Sequence, residues 1–166
     1  MAGNKKIRGA TKTGSFDSQL EECFYKTLLE LGFNPKYEPK TFVVWDGFTA
    51  ITPFYDMETD TQRDKRDPRS SKILVEKSHI VQPIRYTPDL YFEYNGIDVW
   101  IEAKGIENDV FYIKKKLFRK YLDNKLLSTG KKSLYFEIYT KKQLLQAINI
   151  IKGYGQEQYI ETPQKG

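Results

Sequence analysis

Apolar and polar residues alternate along residues 86–105, and this pattern predicts a β-hairpin. Asn95-Gly96 lies between the two alternating stretches, and both residues tolerate the positive φ that a type I′ turn requires. A two-residue loop sets the register, so that Leu90 faces Ile101 across the hairpin. One face is then apolar and is predicted to face the core; its members are Leu90, Phe92, Tyr94, Ile97, Val99, Ile101 and Ala103.

The opposite face of this hairpin carries charged side chains. The same register places Asp89 opposite Glu102, with Cβ atoms roughly 4.5–5.5 Å apart, and Lys104 one step further along that face. Two carboxylates at this distance repel each other unless a cation lies between them. Ordinary surface charge on a half-exposed sheet is the alternative for any one of these residues. The shared register of all three favours a divalent-metal site.

A helix is predicted over residues 18–31, because apolar residues recur there at helical spacing and Gly32 follows. Its predicted apolar face consists of Leu20, Phe24, Leu28 and Leu31. Residues 37–45 are predicted to form an extended strand. Residues 72–81 are predicted to form another strand, which pairs with the first.

The C-terminal third predicts a helix over residues 110–127, a strand over 133–139 and a helix over 141–152, which Thr140 caps. On the first helix, the residues predicted to face inward are Ile113, Leu117 and Tyr121, with Phe118 and Leu122 beside them. On the second helix they are Leu144, Leu145, Ile148 and Ile151. The order helix, strands, helix, strand, helix predicts an α/β fold, with a mixed β-sheet flanked by helices.

A length of 166 residues suits one domain. Residues 1–14 are basic and lack periodicity, which predicts a flexible arm. Residues 15–152 are predicted to form the folded domain, and residues 153–166 a polar tail. A polar insertion is predicted at about 46–78, and residues 58–72 within it are expected to form a loop.

Cysteine content and hydropathy favour an intracellular, cytoplasmic protein. Cys23 is the only cysteine, so no intrachain disulfide forms and a reducing compartment is expected. No run approaches the ~18 apolar residues of a membrane span, and residues 1–14 lack the apolar segment of a secretory signal. His79 is the only histidine; a structural role is favoured, with a general base near a metal as the alternative.

The net charge of +5 favours an anionic partner, most commonly a nucleic acid. Basic residues cluster in the N-terminal arm and in the helix predicted over residues 110–127, on either side of the hairpin. Solvated helix faces are the alternative explanation, but an acidic site that holds a polyanion needs basic surroundings. The residues predicted to contact nucleic acid are Lys5, Lys6, Arg8, Lys12, Arg85, Lys114, Lys115, Lys116 and Arg119.

A short motif in the hairpin carries a family resemblance. Pro88-Asp89 followed by Glu102-Ala103-Lys104 resembles the signature of the PD-(D/E)xK nuclease superfamily. With their flanking residues, the two pieces are similar to the phage junction-resolving endonuclease I family and to a family of small uncharacterised phage nucleases. Upstream, Ser18-Gln19-Leu20-Glu21 resembles the helix motif that precedes the strands in these families. The resemblance extends from residue 14 to about residue 140.

The resemblance implies a restriction-endonuclease-like core and a metal-dependent DNA endonuclease. In such a site Asp89, Glu102 and Glu21 hold Mg²⁺, for which Mn²⁺ substitutes, and the Ala103 carbonyl is a further ligand. Lys104 positions the water that attacks the scissile phosphate. The endonuclease I relatives also imply branched DNA such as Holliday junctions, a homodimer with two active sites, and a phage or bacterial setting.

Alternatives to this interpretation stay open. Ser18 and Glu21 also fit a capping box, in which the glutamate bonds back to the Ser18 amide and needs no metal. The insertion at 46–78 is longer than the connection in the junction resolvases, and the C-terminal portion also departs from that family. A transposase- or restriction-type, sequence-directed nuclease uses the same core. Outside enzymes, a non-catalytic DNA-binding protein of this fold is the alternative, whereas a membrane-surface binder is disfavoured.

Overall fold

The computed structural model describes residues 16–59, 72–105 and 109–160, with the backbone alone for Thr59 and residues 155–160. The chain divides into two units. One unit consists of Met1–Phe42 and Arg85–Gly166, and the other is Val43–Ile84. The first unit contains the predicted hairpin.

The described helices and strands form a mixed α/β arrangement, as predicted. In chain order they are α1 (Gln19–Glu30), β1 (Lys36–Tyr37), β2 (Phe42–Trp45), β3 (Phe48–Thr49), β4 (Tyr55–Thr59), β5 (Lys72–Glu76), β6 (Ile80–Val81), β7 (Ile84–Tyr86), β8 (Leu90–Tyr94), β9 (Ile97–Ala103), α2 (Asp109–Thr129), β10 (Ser133–Ile138) and α3 (Lys141–Ile160). None of the helices in the described residues has the length and apolar composition needed to cross a membrane.

A four-stranded sheet in the order β1-β8-β9-β10 forms the centre of the first unit. β8 is antiparallel to both β1 and β9, whereas β10 is parallel to β9, so the sheet is mixed. The hairpin has the predicted register, with Leu90 opposite Ile101. Asn95 and Gly96 have φ values of 48° and 77°, as the predicted turn requires.

The main hydrophobic core joins α1 and α3 to one face of this sheet. Phe24 and Leu28 of α1 pack in one cluster with Phe92 and Ile101 of the sheet and Leu144 of α3. All five side chains are at most 1 % exposed. The apolar face that the alternation predicted is therefore the core face.

The other face of β9 is also buried, although its residues are largely polar. Asp98, Trp100 and Glu102 are only 2 %, 5 % and 3 % exposed. Phe118 of α2 packs against Trp100 there, with ring centroids 6.0 Å apart. The interpretation of this face as a half-exposed surface is thus wrong, because alternation does not distinguish a solvated polar face from one that a helix covers.

The N-terminal helix follows the prediction, but the strand after it is interrupted. The Ser18 hydroxyl accepts the Glu21 N–H at 3.2 Å and caps α1, and Gly32 follows the helix with φ 83°. Leu31, predicted to face inward, is 43 % exposed. The predicted strand over 37–45 is divided into β1 and β2, since Glu38 adopts φ 40° between them.

The strand prediction over residues 72–81 is wrong in its pairing and its extent. β5 pairs with β4, and β6 pairs with β3, both antiparallel. The strand near Tyr37 pairs with β8 instead. Strand β4 comes from a stretch predicted partly as loop, and of that loop residues 60–71 lie outside the described residues.

Both C-terminal helices begin as predicted but bury a somewhat different set of residues. In α2 the buried residues are Phe111, Phe118 and Leu122, while Ile113 is 56 % exposed. In α3, Leu145 is exposed and Ala147 is buried in the core cluster. α3 also continues to Ile160, beyond the predicted end at about residue 152.

The second unit is built differently from the first. None of its described side chains is buried, and its exposed large apolar residues include Phe48, Ile51, Phe54, Met57, Leu74 and Ile80. Gly47 is required by close packing, because a Cβ there would lie 2.5 Å from the Val81 carbonyl oxygen. His79 belongs to this unit, is exposed, and lies 3.1 Å from the Glu76 carboxylate.

Candidate functional site

Asp89 directly precedes β8, and its carboxylate reaches across the hairpin to β9. Its Oδ2 atom accepts the backbone N–H of Ala103 at 2.6 Å. Burial raises the pKa of Asp89 to about 8, and the neighbouring charges of Glu102 and Glu21 add to the rise. The Ala103 N–H and Lys104 favour the ionised form but do not compensate. Asp89 is therefore a buried acid whose surroundings supply too little positive charge to offset its desolvation and the neighbouring carboxylates.

Glu102 lies on the covered face of β9 and contacts two polar side chains. Tyr86 donates its hydroxyl to Oε2 at 2.5 Å, and Lys104 forms an ion pair with Oε1. Burial raises the pKa of Glu102 despite these two contacts. Tyr86 also hydrogen-bonds to the hydroxyl of Tyr135 at 2.9 Å, and burial raises the pKa of both tyrosines, so they stay protonated as donors.

Lys104 immediately follows β9, and its backbone and side chain are both positioned. Its N–H donates to the Ile138 carbonyl at 2.9 Å, which continues the parallel pairing of β9 and β10. Its Nζ lies over the Phe111 ring, 4.0 Å from the centroid. The Glu102 carboxylate and an aromatic face thus hold the ammonium group at the end of the strand.

Glu21 has the capping role that the sequence left open, and it also lies near Asp89. Its carboxylate accepts hydrogen bonds from the Ser18 hydroxyl at 2.7 Å and from the Asp17 N–H at 3.2 Å, so it belongs to the cap of α1. The bond goes to the Asp17 amide rather than to the predicted Ser18 amide. Tyr37 also donates to it at 2.8 Å. Glu21 nevertheless lies near enough to raise the pKa of Asp89.

Glu137 is a further carboxylate that sequence reasoning missed. The parallel register pairs it with Glu102, and its charge contributes to the raised pKa of Glu102. Lys115 of α2 forms an ion pair with Glu137 at 2.9 Å. Alternation predicted β10 itself, but which residue of β10 lies beside Glu102 depends on a parallel pairing that no local pattern specifies.

A cavity of about 440 Å³ adjoins these groups within the first unit. Glu102 and Lys104 line it, whereas Asp89 is not a lining residue. Two of the predicted nucleic-acid contacts, Arg85 and Lys114, also line this cavity. Its remaining lining residues are Tyr86, Thr87, Val110 and Phe111. Three cationic residues, Arg85, Lys104 and Lys114, therefore line the cavity beside the buried Glu102 carboxylate.

The other predicted contacts are not gathered at this cavity. Lys116 and Arg119 are exposed on α2 and do not line it. Lys115 is engaged with Glu137 and lies over the Tyr112 ring at 4.6 Å from the centroid. The arm residues Lys5, Lys6, Arg8 and Lys12 lie outside the described residues.

Asp89 and Glu102 offer carboxylate oxygens, the type of ligand that a hard divalent cation takes. Within the described ranges, no group of three or more histidine, cysteine, aspartate or glutamate side chains is arranged to hold a metal ion. Asp89 and Glu102 are instead bonded to the Ala103 N–H, Tyr86 and Lys104. Burial raises the pKa values of both acids despite these partners, which disfavours their ionised forms when no cation is bound. Mg²⁺ takes ionised carboxylate oxygens as ligands, so a bound cation would favour ionisation of both acids.

Comparison with known proteins adds no relative, since no family model, curated protein or solved structure matches this chain.

Proposed function

We propose that this chain is a metal-dependent endodeoxyribonuclease that hydrolyses phosphodiester bonds, with a core of the restriction-endonuclease type. One observation carries the proposal: Asp89 and Glu102 are two neighbouring acids with raised pKa values, and Glu102 and Lys104 line a cavity with Arg85 and Lys114. A polyanion is attracted to the cationic side chains, and a divalent cation satisfies the acids. The mixed sheet flanked by helices supports the fold assignment.

Asp89 and Glu102 would hold Mg²⁺ or Mn²⁺, with Glu21 and the Ala103 carbonyl as further ligands. Bound there, such an ion neutralises charge on the phosphate and makes nearby water more acidic. Holding it requires both acids to be ionised. The Ala103 N–H and Tyr86 favour the ionised forms, because each donates a hydrogen bond to a carboxylate oxygen.

Lys104 is proposed to position the attacking water and to neutralise charge that develops on the phosphate. The water adds its oxygen to phosphorus, one phosphate ester bond breaks, and the proton that the water loses is balanced by the proton that the leaving oxygen gains. The Phe111 ring and Glu102 restrict the Lys104 ammonium group to this end of β9. Arg85 and Lys114 would contact neighbouring phosphates of the strand.

The finer substrate assignment, branched DNA resolved by a homodimer, derives from the resemblance to the phage endonuclease I family. A four-way junction has two strands to cut, so two active sites are required. Sequence-directed cleavage of linear duplexes, as in transposase- or restriction-type nucleases, is the enzyme alternative.

A cleavage assay with Mg²⁺ tests this function. It compares a four-way junction, a flap, a linear duplex and a single strand of matched sequence. We expect Lys104→Ala to lower the cleavage rate by about 100-fold or more, because a group that stabilises the transition state is lost. Lys152→Ala is the matched control, since Lys152 is exposed on α3 and lines neither described cavity near the sheet.

The pattern of products decides between the candidates. Paired cuts near the branch point that Lys104→Ala abolishes support junction resolution. Cleavage of linear or single-stranded DNA supports the nuclease activity and contradicts a preference for junctions. Full activity of both Asp89→Asn and Lys104→Ala contradicts the proposed site.

A non-catalytic DNA-binding protein is the second candidate, and one observation favours it. Each acid of the site already has a protein partner: Ala103 for Asp89, Lys104 for Glu102 and Ser18 for Glu21. DNA binding that persists without cleavage of any substrate, in Mg²⁺ and in Mn²⁺, supports this candidate.

A further inference from the structure

A second cavity, of about 340 Å³, lies in the first unit on the covered face of the sheet. It shares no lining residue with the cavity at Glu102. Its volume falls within the about 300–1,000 Å³ range of small-molecule sites. Aromatic residues and lysines form most of its lining, among them Lys36, Lys40, Tyr91, Trp100 and Tyr121.

The aromatic residues of this cavity form a connected group. Tyr91 and Trp100 have centroids 4.4 Å apart with rings inclined by 34°. Tyr121 contacts Phe42 at 5.0 Å between centroids. Tyr91 and Tyr121 are half-buried, so part of each ring is accessible from the cavity. Accessible aromatic faces in a basic setting are what nucleobases stack on in proteins that bind single strands.

Positive charge exceeds negative charge in the lining. Four lysines and one aspartate line the cavity, which gives 4 − 1 = +3. Asp98 is buried and accepts hydrogen bonds from Lys125 at 2.6 Å and forms an ion pair with Lys131 at 2.8 Å, and Lys131 also pairs with Glu93 outside the lining. Lys36 and Lys40 are exposed, and in the described ranges neither forms an ion pair. Both line the cavity as exposed cations, and the Lys40 Nζ lies 5.2 Å from the Phe42 ring centroid.

Trp100 supplies a second, independent observation. It is 5 % exposed, and among the described residues no acceptor is hydrogen-bonded to its buried Nε1–H. Burial of such a donor without a partner costs about 1–3 kcal/mol. Trp100 lines the cavity, so a ligand whose binding moves the lining enough to bring an oxygen atom, such as a nucleobase carbonyl, to this N–H would offset that cost.

The position of the cavity relates it to the candidate site. Trp100 and Glu102 lie on the same face of β9, two residues apart, which is about 7 Å along the strand; Asp98 lies about 13 Å from Glu102. Helix α2 lines both cavities, with Lys114 at one and Tyr121 at the other. Stacked DNA rises about 3.4 Å per nucleotide in each strand. The residues of the two cavities on β9 are therefore separated by about the length of two to four stacked nucleotides.

We propose that this second cavity binds one unstacked nucleotide of the DNA strand whose phosphate lies at Glu102 and Lys104. The base stacks on Tyr91 and Tyr121, and Lys36 and Lys40 contact its phosphates. The choice of DNA rests on the proposed function, whereas the binding itself requires no cleavage. Such a nucleotide is available where bases are unpaired, so the cavity favours branched, frayed or single-stranded DNA over an intact duplex.

Tryptophan fluorescence reports directly on this cavity. Trp45 and Trp100 are the two tryptophans, so Trp45→Phe in the full chain leaves Trp100 as the only one. Oligodeoxythymidylates of about two, four and eight nucleotides are titrated with the metal chelated. We expect saturable quenching of Trp100 that strengthens up to about four nucleotides, the separation of the two cavities.

Substitutions at Tyr121 separate stacking from bulk. Tyr121→Leu keeps apolar volume but removes the ring, and it should weaken oligonucleotide binding by about tenfold. Tyr121→Phe keeps the ring and should bind as the parent protein does. Lys36→Ala with Lys40→Ala should weaken binding and lower its salt dependence, whereas Lys152→Ala should change neither.

The outcomes distinguish this inference from the proposed function. Absence of quenching, or equal binding by Tyr121→Leu and Tyr121→Phe, overturns the nucleotide cavity even if the protein cleaves DNA. Quenching that depends on the Tyr121 ring supports it even if the protein cleaves no substrate.

Discussion

Strand β9 carries two buried carboxylates on one face, Asp98 and Glu102, and each of them is contacted by one tyrosine and by at least one lysine. Asp98, near the start of the strand, accepts hydrogen bonds from the Tyr91 hydroxyl at 2.9 Å and from the Lys125 ammonium group at 2.6 Å. It also forms an ion pair with Lys131. Burial acts to raise the pKa of Asp98, but these hydrogen bonds outweigh it and the pKa is lowered. Asp98 is therefore a satisfied structural ion.

Glu102, at the other end of β9, has similar partners but the opposite shift. Tyr86 and Lys104 contact it, yet burial raises its pKa, and the charge of Glu137 adds to the rise. Within the described site, Lys104 lies beside both Asp89 and Glu102. Asp98 is contacted by two lysines, Lys125 and Lys131, of which Lys131 also pairs with Glu93. Burial of an acid is thus common to both ends. Stronger desolvation and fewer compensating cations together distinguish the Glu102 end, which is the end suited to bind a cation.

Among the substitutions at these acids and their tyrosine partners, removal of the Asp98 charge should lower stability the most. Asp98→Asn leaves Lys125 and Lys131 without their shared carboxylate, and we expect the free energy of unfolding to fall by about 2–3 kcal/mol at neutral pH. This is less than the roughly 3–5 kcal/mol of a fully buried pair, because both lysines are partly exposed. Urea denaturation measures it.

The pH dependence provides the control for Asp98. A lowered pKa contributes stability above the unfolded value of 3.8 and loses it as the pH falls through the folded value. The difference between the wild type and Asp98→Asn should therefore shrink in acid. An equal difference at all pH values would mean that lost packing, rather than charge, is responsible.

Removal of the Asp89 charge should change the free energy of unfolding in the opposite direction, so that the protein becomes more stable. The pKa of Asp89 rises from 3.8 to about 8 on folding, so its contribution to stability is lost as the pH rises between these values. Asp89→Asn still accepts the Ala103 N–H and should raise the free energy of unfolding by about 1–3 kcal/mol near pH 8, measured by urea denaturation without metal.

Magnesium sharpens this second prediction. Added Mg²⁺ should raise the melting temperature of the wild type and of Asp98→Asn near pH 8, but not that of Asp89→Asn. The measurement needs no DNA and no cleavage. Loss of stability in Asp89→Asn, or an equal response of all three proteins to Mg²⁺, would contradict a cation site at Asp89.

The two tyrosines provide the smallest and most closely matched test. Tyr86→Phe removes one donor from Glu102, and Tyr91→Phe removes one donor from Asp98. Each should cost about 0.5–1.5 kcal/mol of stability. Because Glu102 has fewer compensating partners, only Tyr86→Phe should also weaken Mg²⁺ binding, measured by calorimetry. If Tyr91→Phe weakens Mg²⁺ binding equally, the two ends of β9 do not differ in the proposed way.

Local chemistry made part of this molecule predictable from sequence. Asn95-Gly96 specifies a turn with positive φ at both residues, and that turn fixes which residues of β8 and β9 face each other. Ser18 and Thr140 each accept a backbone N–H at the start of a helix. The neighbourhood of Asp89, Glu102 and Lys104 follows from the hairpin register alone.

Long-range pairing decided the rest. The sequence does not indicate that β5 pairs with β4 instead of a strand near Tyr37, because pairing depends on which surfaces meet in the fold. The parallel register of β10 brings Glu137 beside Glu102. Helix α2 covers the polar face of β9 and makes buried groups of residues that alternation presents as exposed.

The sequence by itself determined which acids face each other across the hairpin, since turn geometry and strand alternation act over a few residues. Only the tertiary structure decided which acid is compensated. Lys125 and Lys131 reach Asp98 from distant parts of the chain, and burial at both ends of β9 depends on packing with α2. A pKa depends on all charges and on the solvent excluded around a group, and those are properties of the assembled fold.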